Sequence, residues 1–404
     1  MTEKTVLIAG GGMVGATLAL ALARLAQLPT TVVEGFAIPP ASTPPRHRES
    51  FDARVTALSW GSRLILERLG LWTALAAHAA PISSVHVSQR GQAGVTRMGA
   101  AEQGWPALGY VVENAWLGQV LMAALEREAL VSLQAPATVT ALRLGTGAMG
   151  VEIADAAPRE AALVVVADGA RSRLRQGLGI AVDRHDYDSV AIIANVGLAR
   201  AHGGVAFERF LDDGPMALLP LPDSDGQARA GLVWTLPTAR AEALLAASDD
   251  AFLASLQRGF GQRLGPLLRV GQRSHYPLAL FSAREQVRSR VVVMGNAAHA
   301  LHPVAGQGFN LALRDVLALA ETLRGERDPG ALAVLQRYAD RQQADQQRTI
   351  RFSDHLPGLF ALGGRRLAPL RGLGLLGLDL CPPLRRRFTA RAAGMAPGSA
   401  GALA

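Results

Sequence analysis

Val6-Leu7-Ile8-Ala9-Gly10-Gly11-Gly12-Met13-Val14-Gly15 is the stretch that decides the fold of this chain. A short apolar run leads into Gly-x-Gly-x-x-Gly, and Ala16 to Ala26, rich in alanine and leucine, reads as a helix. Pro29 ends that helix before Thr30-Thr31-Val32-Val33-Glu34, a second β-rich run closed by an acid. Together they make a βαβ unit. In that setting Gly10 permits the tight turn, Gly12 lets a pyrophosphate approach the backbone, and Gly15 lets helix and strand pack closely. The amides opening the helix, from Gly10 through Met13, Val14 and Gly15, are expected to bind a diphosphate, and Glu34 to accept hydrogen bonds from ribose hydroxyls. This fingerprint specifies a dinucleotide without separating FAD from NAD.

Two later segments make that separation. Ala167-Asp168-Gly169-Ala170-Arg171-Ser172-Arg173-Leu174-Arg175 follows the apolar run Leu163 to Val166, which fits a parallel strand buried on both faces. The stretch from Val291 to Asp315, VVVMGNAAHALHPVAGQGFNLALRD, closes another such strand with Gly295-Asn296 and sets Gly306-Gln307-Gly308 before a helix over Asn310 to Leu323. Two strand ends and a helix N-terminus directed at one ligand call for a cofactor with a ribityl chain and a ring system, which is FAD in an extended conformation.

The rest of the chain is organised around these landmarks. Arg54 to Leu71 reads as helical, with apolar positions at Leu58, Leu64, Ile65 and Leu69. Val190 to Trp234 contains short β-like runs between Gly and Pro turns, the mark of an antiparallel sheet. A polar helix is expected over about Ala331 to Ile350. The predicted fold class is α/β: a Rossmann-like FAD-binding domain, an inserted mixed or antiparallel β-sheet substrate domain, and a C-terminal helical region. The expected division gives residues 1–75, 111–180 and 281–355 to the first, 76–110 and 181–280 to the second, and 356–404 to the third.

With 404 residues the chain is long enough for two domains. Hydrophobic residues make up 49% and mean hydropathy is +0.19, yet no window approaches the roughly 20 apolar residues of a membrane span. Cys381 is the single cysteine, so an intrachain disulfide and a cysteine-based metal cluster are excluded; a metal-free site in a reducing compartment is expected. No secretory cleavage pattern follows Met1, and a cytoplasmic location is expected. The net charge of +8 comes from arginines scattered along the chain, which argues against nucleic acid as a partner. Arg365-Arg366, Arg371 and Arg385-Arg386-Arg387 are different: they sit among leucines and prolines, a pairing suited to peripheral contact with an anionic inner-membrane surface.

On the glycine loop, Phe51-Asp52-Ala53-Arg54, Asp168-Gly169, Ala206-Phe207-Glu208-Arg209-Phe210 and HPVAGQGFNL, the sequence resembles the para-hydroxybenzoate-hydroxylase class of FAD monooxygenases. Within that class it is similar to the ubiquinone-biosynthesis hydroxylases, most of all to the 2-polyprenyl-6-methoxyphenol hydroxylases. The resemblance implies that NAD(P)H reduces FAD, that O2 adds to give a flavin hydroperoxide, and that one oxygen atom passes to a polyprenylated methoxyphenol. It also implies association with other enzymes of that pathway and a homo-oligomer. Asp168-Gly169 is then the segment that contacts FAD and takes part in NAD(P)H binding, and Arg54 the arginine near the diphosphate. Pro303 would lie over the flavin ring, and the amides of Gly306 to Gly308, with Asn310 behind them, would face its pyrimidine end. Many relatives carry Gly-Asp where this chain has Gly295-Asn296; the asparagine carbonyl can accept the same ribityl hydrogen bond.

His302, beside Pro303, is the candidate base for the substrate phenol, with His299 more readily explained as a loop-backbone partner. Of the neighbours Glu208 and Arg209 only one can face the substrate, and neither is named as catalytic. Phe207, Phe210, Met216, Leu218 and Leu219, with Pro220, are the expected wall of an apolar substrate pocket, the alternative being ordinary sheet core. Two other activities fit the same fold: hydroxylation of another ring position, and flavin redox chemistry without oxygen transfer, as in a prenyl reductase. The Trp-x-Trp-x-Ile-Pro motif of flavin halogenases is missing.

Overall fold

The computed structural model describes residues 5–38, 46–47, 54–302, 306–361 and 367–395. Along the chain, the elements that build the site are β1 (Val6–Ala9), α1 (Met13–Ala21), β2 (Thr30–Val33), β3 (Val55–Ser59), β4 (Leu163–Val166), β5 (Val182–Leu198), β6 (Val205–Leu211), β7 (Gly214–Pro220), β8 (Arg229–Pro237), β9 (Ser274–Ala283) and β10 (Val291–Val293). They are followed by α2 (Gln307–Leu323), α3 (Leu332–Ala361), α4 (Ala368–Leu380) and α5 (Pro382–Ala392).

β1 pairs in parallel with β2 on one side and β4 on the other, and β10 continues the parallel order beyond β4. Continuous apolar sequence suits β1, β4 and β10 because each is buried along its whole length. The helix after the glycine turn is apolar all round, and Leu18, Leu20 and Leu22 are fully buried where it packs on the sheet and α2. It continues as a π-helical turn through Ala26 and stops at Gln27, whose left-handed backbone ends it before Pro29 is reached.

One expectation fails here. Val55 to Ser59 is a strand, antiparallel to Gly109–Glu113, and the helix covers only Trp60 to Arg68. Ser59 is the reason for the boundary: its hydroxyl accepts from the Ser62 amide at 3.3 Å and caps the helix. The Leu58 to Leu69 spacing imitates a helix, while β-branched Val55 and Thr56 fit the strand that the partner selects.

The second large sheet has nine strands and runs from His299–Ala300 through β9, β5, β8, β7 and β6 to Ser84–Gln89 and Val95–Gly99, with Leu267–Val270 also beside β5. All its pairings are antiparallel except that of β6 with Ser84–Gln89. One face carries a core of its own, in which Met216, Leu218, Leu232 and Trp234 pack on Phe252 and Leu256 of a covering helix. The other face looks toward β3 and the first sheet. A fully buried ion pair, Arg229 to Glu113 at 2.7 Å, ties β8 to the strand beside β3.

α4 packs against Val95–Gly99 so closely that a side chain on Gly94 would overlap the Gly372 carbonyl. Two hydrogen bonds fix it there: the Thr96 hydroxyl donates to the Leu375 carbonyl at 2.7 Å, and the Arg97 amide to Asp379 at 2.7 Å. Its outer face leaves Leu370, Leu373, Leu376 and Leu380 exposed. Among the described residues no helix is long and apolar enough to cross a membrane.

Candidate active site

The carboxyl ends of β1, β4 and β10 lie side by side, and the hydrogen bonds that close them position three loops at one edge of the sheet. Gly10 donates to Val33 at 2.8 Å, Ala167 to Ala9 at 2.8 Å and Met294 to Val166 at 2.9 Å. Gly10 has φ +109°, and a Cβ there would strike the Ala167 carbonyl; one on Gly15 would lie 1.9 Å from the Gly10 oxygen. Only glycine lets the first loop sit this close to the second. Gly295, at φ +61°, rests against the side chain of Val14, so the third loop joins the same cluster. Asp168 is exposed to the side of the second loop end and Asn296 is exposed at the third. Arg175, counted in the sequence as part of a basic stretch, is instead buried. It donates to the Ala297 carbonyl at 2.8 Å and stacks over Phe281, linking the second loop to the third.

Glu34 reaches back over the glycine turn. Its carboxylate accepts from the Gly11 amide at 2.6 Å and from the Phe36 amide at 3.0 Å, and each oxygen has capacity for a further bond. Arg54 is exposed and donates to the Tyr276 hydroxyl at 2.6 Å. Phe51, Asp52, Ala53 and Pro303 lie outside the described residues.

Whether these residues suit FAD is tested by the two helix N-termini. Neither α1 nor α2 has a side-chain cap, so each presents unsatisfied backbone amides. A Cβ placed on Gly12 or on Gly308 would meet no atom within 4 Å, so open space lies in front of both. Uncapped positive helix ends facing open space suit an anionic diphosphate at α1 and an electron-rich ring edge at α2. The residues fit the cofactor.

Asn310 has a different task from the one its position suggested. Its side-chain oxygen accepts from the Ser59 amide at 2.8 Å and the Ser62 hydroxyl at 2.7 Å, while its nitrogen donates to Ala57 at 2.9 Å and Gly306 at 2.7 Å. Those bonds use its full capacity. It knots α2 to β3 and the helix after it, and acts on the cofactor side by position rather than by contact. Gln307 is similarly engaged with the Ala392 carbonyl at 3.3 Å.

Beside the α2 N-terminus opens an apolar cavity of about 520 Å³. Its walls are β3, the inner face of the second sheet, and residues of α3, α4 and α5, including Phe352, Leu375, Leu378 and Phe388. Register decides which strand residues take part. Paired residues share a face, so Glu208 with Ala217 and Phe210 with Pro215 face the cavity, whereas Arg209 with Met216 and Phe207 with Leu218 belong to the opposite side. Phe210 and Leu219 therefore stand where expected. Phe207 also touches the cavity, but its ring packs on Phe260 and His86. The expectation for Met216, Leu218 and Pro220 is corrected: Met216 and Leu218 are buried in the far core, and the wall at this strand is Pro215, Ala217 and Leu219. An offset of one residue moves a side chain through the sheet.

Of the neighbours Glu208 and Arg209, Glu208 is the one on the cavity side, a choice that reading neighbours in sequence could not make. It faces the cavity, and burial pushes its carboxyl up to about 8. Arg209 points away and donates to the Gly259 carbonyl at 2.9 Å. His302 is on the cavity wall, edge-on to the Tyr187 ring, and burial lowers its imidazole to about 4. Its neutral form is the one present at pH 7. His299 is fully buried away from the cavity, 3.5 Å from Asp315. Burial lowers the histidine to about 4 and raises the aspartate to about 7, so both lean toward their neutral forms, with Gln342 and Gln346 donating to Asp315.

The profile of the FAD binding domain family matches residues 3–353. The chain is 37% identical to ubiquinone hydroxylase UbiL of Rhodospirillum rubrum, over 96% of this chain and 89% of that one. It is 34% identical to 3-demethoxyubiquinol 3-hydroxylase of Escherichia coli, over 96% and 98%. Among solved structures, p-nitrophenol 4-monooxygenase PnpA from Pseudomonas putida superposes with a TM-score of 0.77 at 20% identity, covering 96% of this chain and 97% of that one. A single-substitution variant of Klebsiella pneumoniae HpxO complexed with FAD superposes with a TM-score of 0.76 at 17% identity, covering 98% and 99%. The strand-end cradle, the uncapped helix pair and these matches agree: the chain belongs to the FAD binding domain family, in the group that holds the ubiquinone hydroxylases.

Proposed function

We propose that this chain is an FAD-dependent monooxygenase that hydroxylates the ring of a polyprenylated methoxyphenol in ubiquinone biosynthesis, with NAD(P)H as electron donor. The observation that carries the reading is the continuity between cradle and cavity: Gly306, Gln307 and Gly308 begin the helix that faces the cofactor space and line the apolar chamber as well. An aromatic ring entering that chamber comes to rest against the cofactor side, and the apolar walls leave room for the start of a tail.

Bound FAD, once reduced, supplies activated dioxygen. The chain's own residues bind, orient and exclude water. The amides from Gly10 to Gly15 hold the diphosphate, Glu34 the ribose, and Asp168-Gly169 and Gly295-Asn296 the adjoining loops' share of the cofactor. The amides at Gly306 to Gly308 face the ring edge. The cavity walls keep water from the reacting atoms, which favours transfer of oxygen to substrate over its loss. His302 lies on the cavity wall as a neutral imidazole, the form that a base for the phenol requires, while the burial that lowers it to about 4 also makes it a weaker proton acceptor than an ordinary histidine.

The test is turnover under isotopically labelled dioxygen with a short-tailed prenyl methoxyphenol and NADPH. One labelled oxygen atom in the product is expected; NADPH oxidation without label in the ring would mean flavin redox chemistry without oxygen transfer. A second reading, hydroxylation at another position of the ring, is favoured by the named activity of the Escherichia coli relative. Quinone profiling in a deletion strain separates the two, because the precursor that accumulates carries the unhydroxylated position.

Lipid contact belongs to the same reading. Leu370, Leu373 and Leu376 are exposed on α4, while Leu384, Arg387 and Arg391 share one face of α5 by their spacing of three and seven. Replacing Leu370 and Leu373 by serine should reduce sedimentation with anionic vesicles; unchanged sedimentation would remove the membrane from the proposal.

A further inference from the structure

We infer that the Glu208 carboxyl recognises the oxygen substituents of the substrate ring, pairing with a phenol hydroxyl and the oxygen on the neighbouring carbon. This inference rests on the reading of the cavity as a phenol site. Glu208 lies mid-strand in β6 on the cavity face, with Ala217 across from it on β7 and Val87 on the other neighbouring strand. Neither neighbour offers a polar atom beyond the backbone.

Several other polar side chains of the wall are committed within the protein, and Thr56 bonds Asn114 at 2.6 Å. Thr96 donates to Leu375, Thr389 to Arg385 and Gln307 to Ala392, and Asn310 uses all four of its bonds. Glu208 sets a carboxyl in an apolar chamber with no hydrogen bond from its side chain to the described residues. Glu208 is half-buried and reaches solvent only through the chamber, so a ligand that fills the chamber displaces that water and must itself complete the carboxyl.

Its protonation state sets what it can bind. Burial is the sole cause acting on it, and it holds the carboxyl up to about 8, so the acid is mostly neutral at pH 7. His302, the other ionisable group among the described residues of the wall, is a neutral imidazole at that pH. A neutral carboxyl presents one donor and one acceptor side by side. An ortho-methoxyphenol presents the complementary pair, a hydroxyl donor and a methoxy acceptor on adjacent carbons. An ionised carboxylate would offer two acceptors and lose half of the match.

The test uses FAD-loaded wild type, Glu208→Gln and Glu208→Leu, with two ligands of equal tail length: a prenylated 2-methoxyphenol and the same chain on unsubstituted benzene. Binding is read by calorimetry and folding by the melting temperature. Glutamine keeps one donor and one acceptor, and its affinity for the methoxyphenol should stay within about threefold of wild type. Leucine should weaken the methoxyphenol by about tenfold or more, leave the benzene ligand unchanged and leave melting equal or higher. Wild-type affinity for the methoxyphenol should fall as pH rises past about 8, and the glutamine variant should lack that fall. Equal binding of both ligands by wild type and Glu208→Leu overturns the role. So does a Glu208→Gln protein that binds normally yet is as inactive as the leucine variant, since that assigns Glu208 to proton removal. Wild type that binds neither ligand overturns both the role and the phenol-site reading beneath it.

Discussion

The cofactor cradle and the substrate cavity share the N-terminus of α2, yet they are built from different material. The cradle is backbone: amides at two helix ends, carbonyls at three strand ends, and glycines where loops must touch. The cavity is side chain, contributed by strands of one sheet, by β3 and by three C-terminal helices that are far apart in sequence. Backbone geometry constrains contiguous residues and so leaves a compact motif. A wall gathered from alternate residues of distant elements leaves a pattern that only strand register can resolve.

The sharpest way to break this contrast is in the cradle. Gly15→Ala puts a methyl 1.9 Å from the Gly10 carbonyl, so flavin absorbance and folding should both be lost. Gly12→Ala points into open space; melting should shift by less than about 2 °C while FAD affinity falls by roughly tenfold or more. If both variants retain flavin, the backbone does not bind it.

In the cavity, adjacent residues of one strand should behave oppositely. Ala217→Trp fills space opposite Glu208, and turnover should drop by about tenfold or more with flavin still bound. Leu218→Ala, one residue along, leaves a hole in the far core and should cost about 2–5 kcal/mol in denaturant unfolding while substrate affinity is kept. Equal effects on binding from both would mean that the alternation does not define the wall.

The smallest effect expected is in the support behind the cradle. Asp315 titrates near 7 in the folded chain and near 3.8 otherwise, so folding retains a proton over that interval. Its stabilising contribution is complete below about 4 and is lost as pH rises through about 7. Asp315→Asn keeps an acceptor for Gln342 and Gln346 and abolishes the titration. Its melting temperature should exceed that of wild type by on the order of 5 °C near pH 8, with the gap closing toward pH 4. Parallel melting curves across that range would show that Asp315 does not titrate with folding.

The same contrast explains what the sequence made legible. The turn through Gly10, Gly12 and Gly15 was legible because it spans nearby residues, and Glu34 because the next strand of the same βαβ unit brings it back to the Gly11 amide. The strand ends at Asp168 and Gly295 were readable for the same reason. Glu208 against Arg209, and Met216 against Ala217, could not be separated, because both members of each pair are compatible with a strand and only pairing with β7 or β6 assigns a face. Arg54 to Ser59 read as helix because leucine spacing was visible and the partner strand, far along the chain, was not. Asn310 looked like a ligand since it follows the glycines; its four bonds depend on β3 folding against α2.

α4 has hydrocarbon on both sides. Leu375 and Leu378 line the chamber while Leu373 and Leu376 face outward from the same helix. If the proposed lipid contact holds, the helix would be a partition between two phases of similar polarity for a prenyl tail, and passage over it would carry little transfer free energy. Entry through water would cost about 0.8 kcal/mol for each methylene exposed. On that proposal, supply of such a substrate would follow its mole fraction in lipid, and the KM would be expressed in that variable rather than as an aqueous concentration.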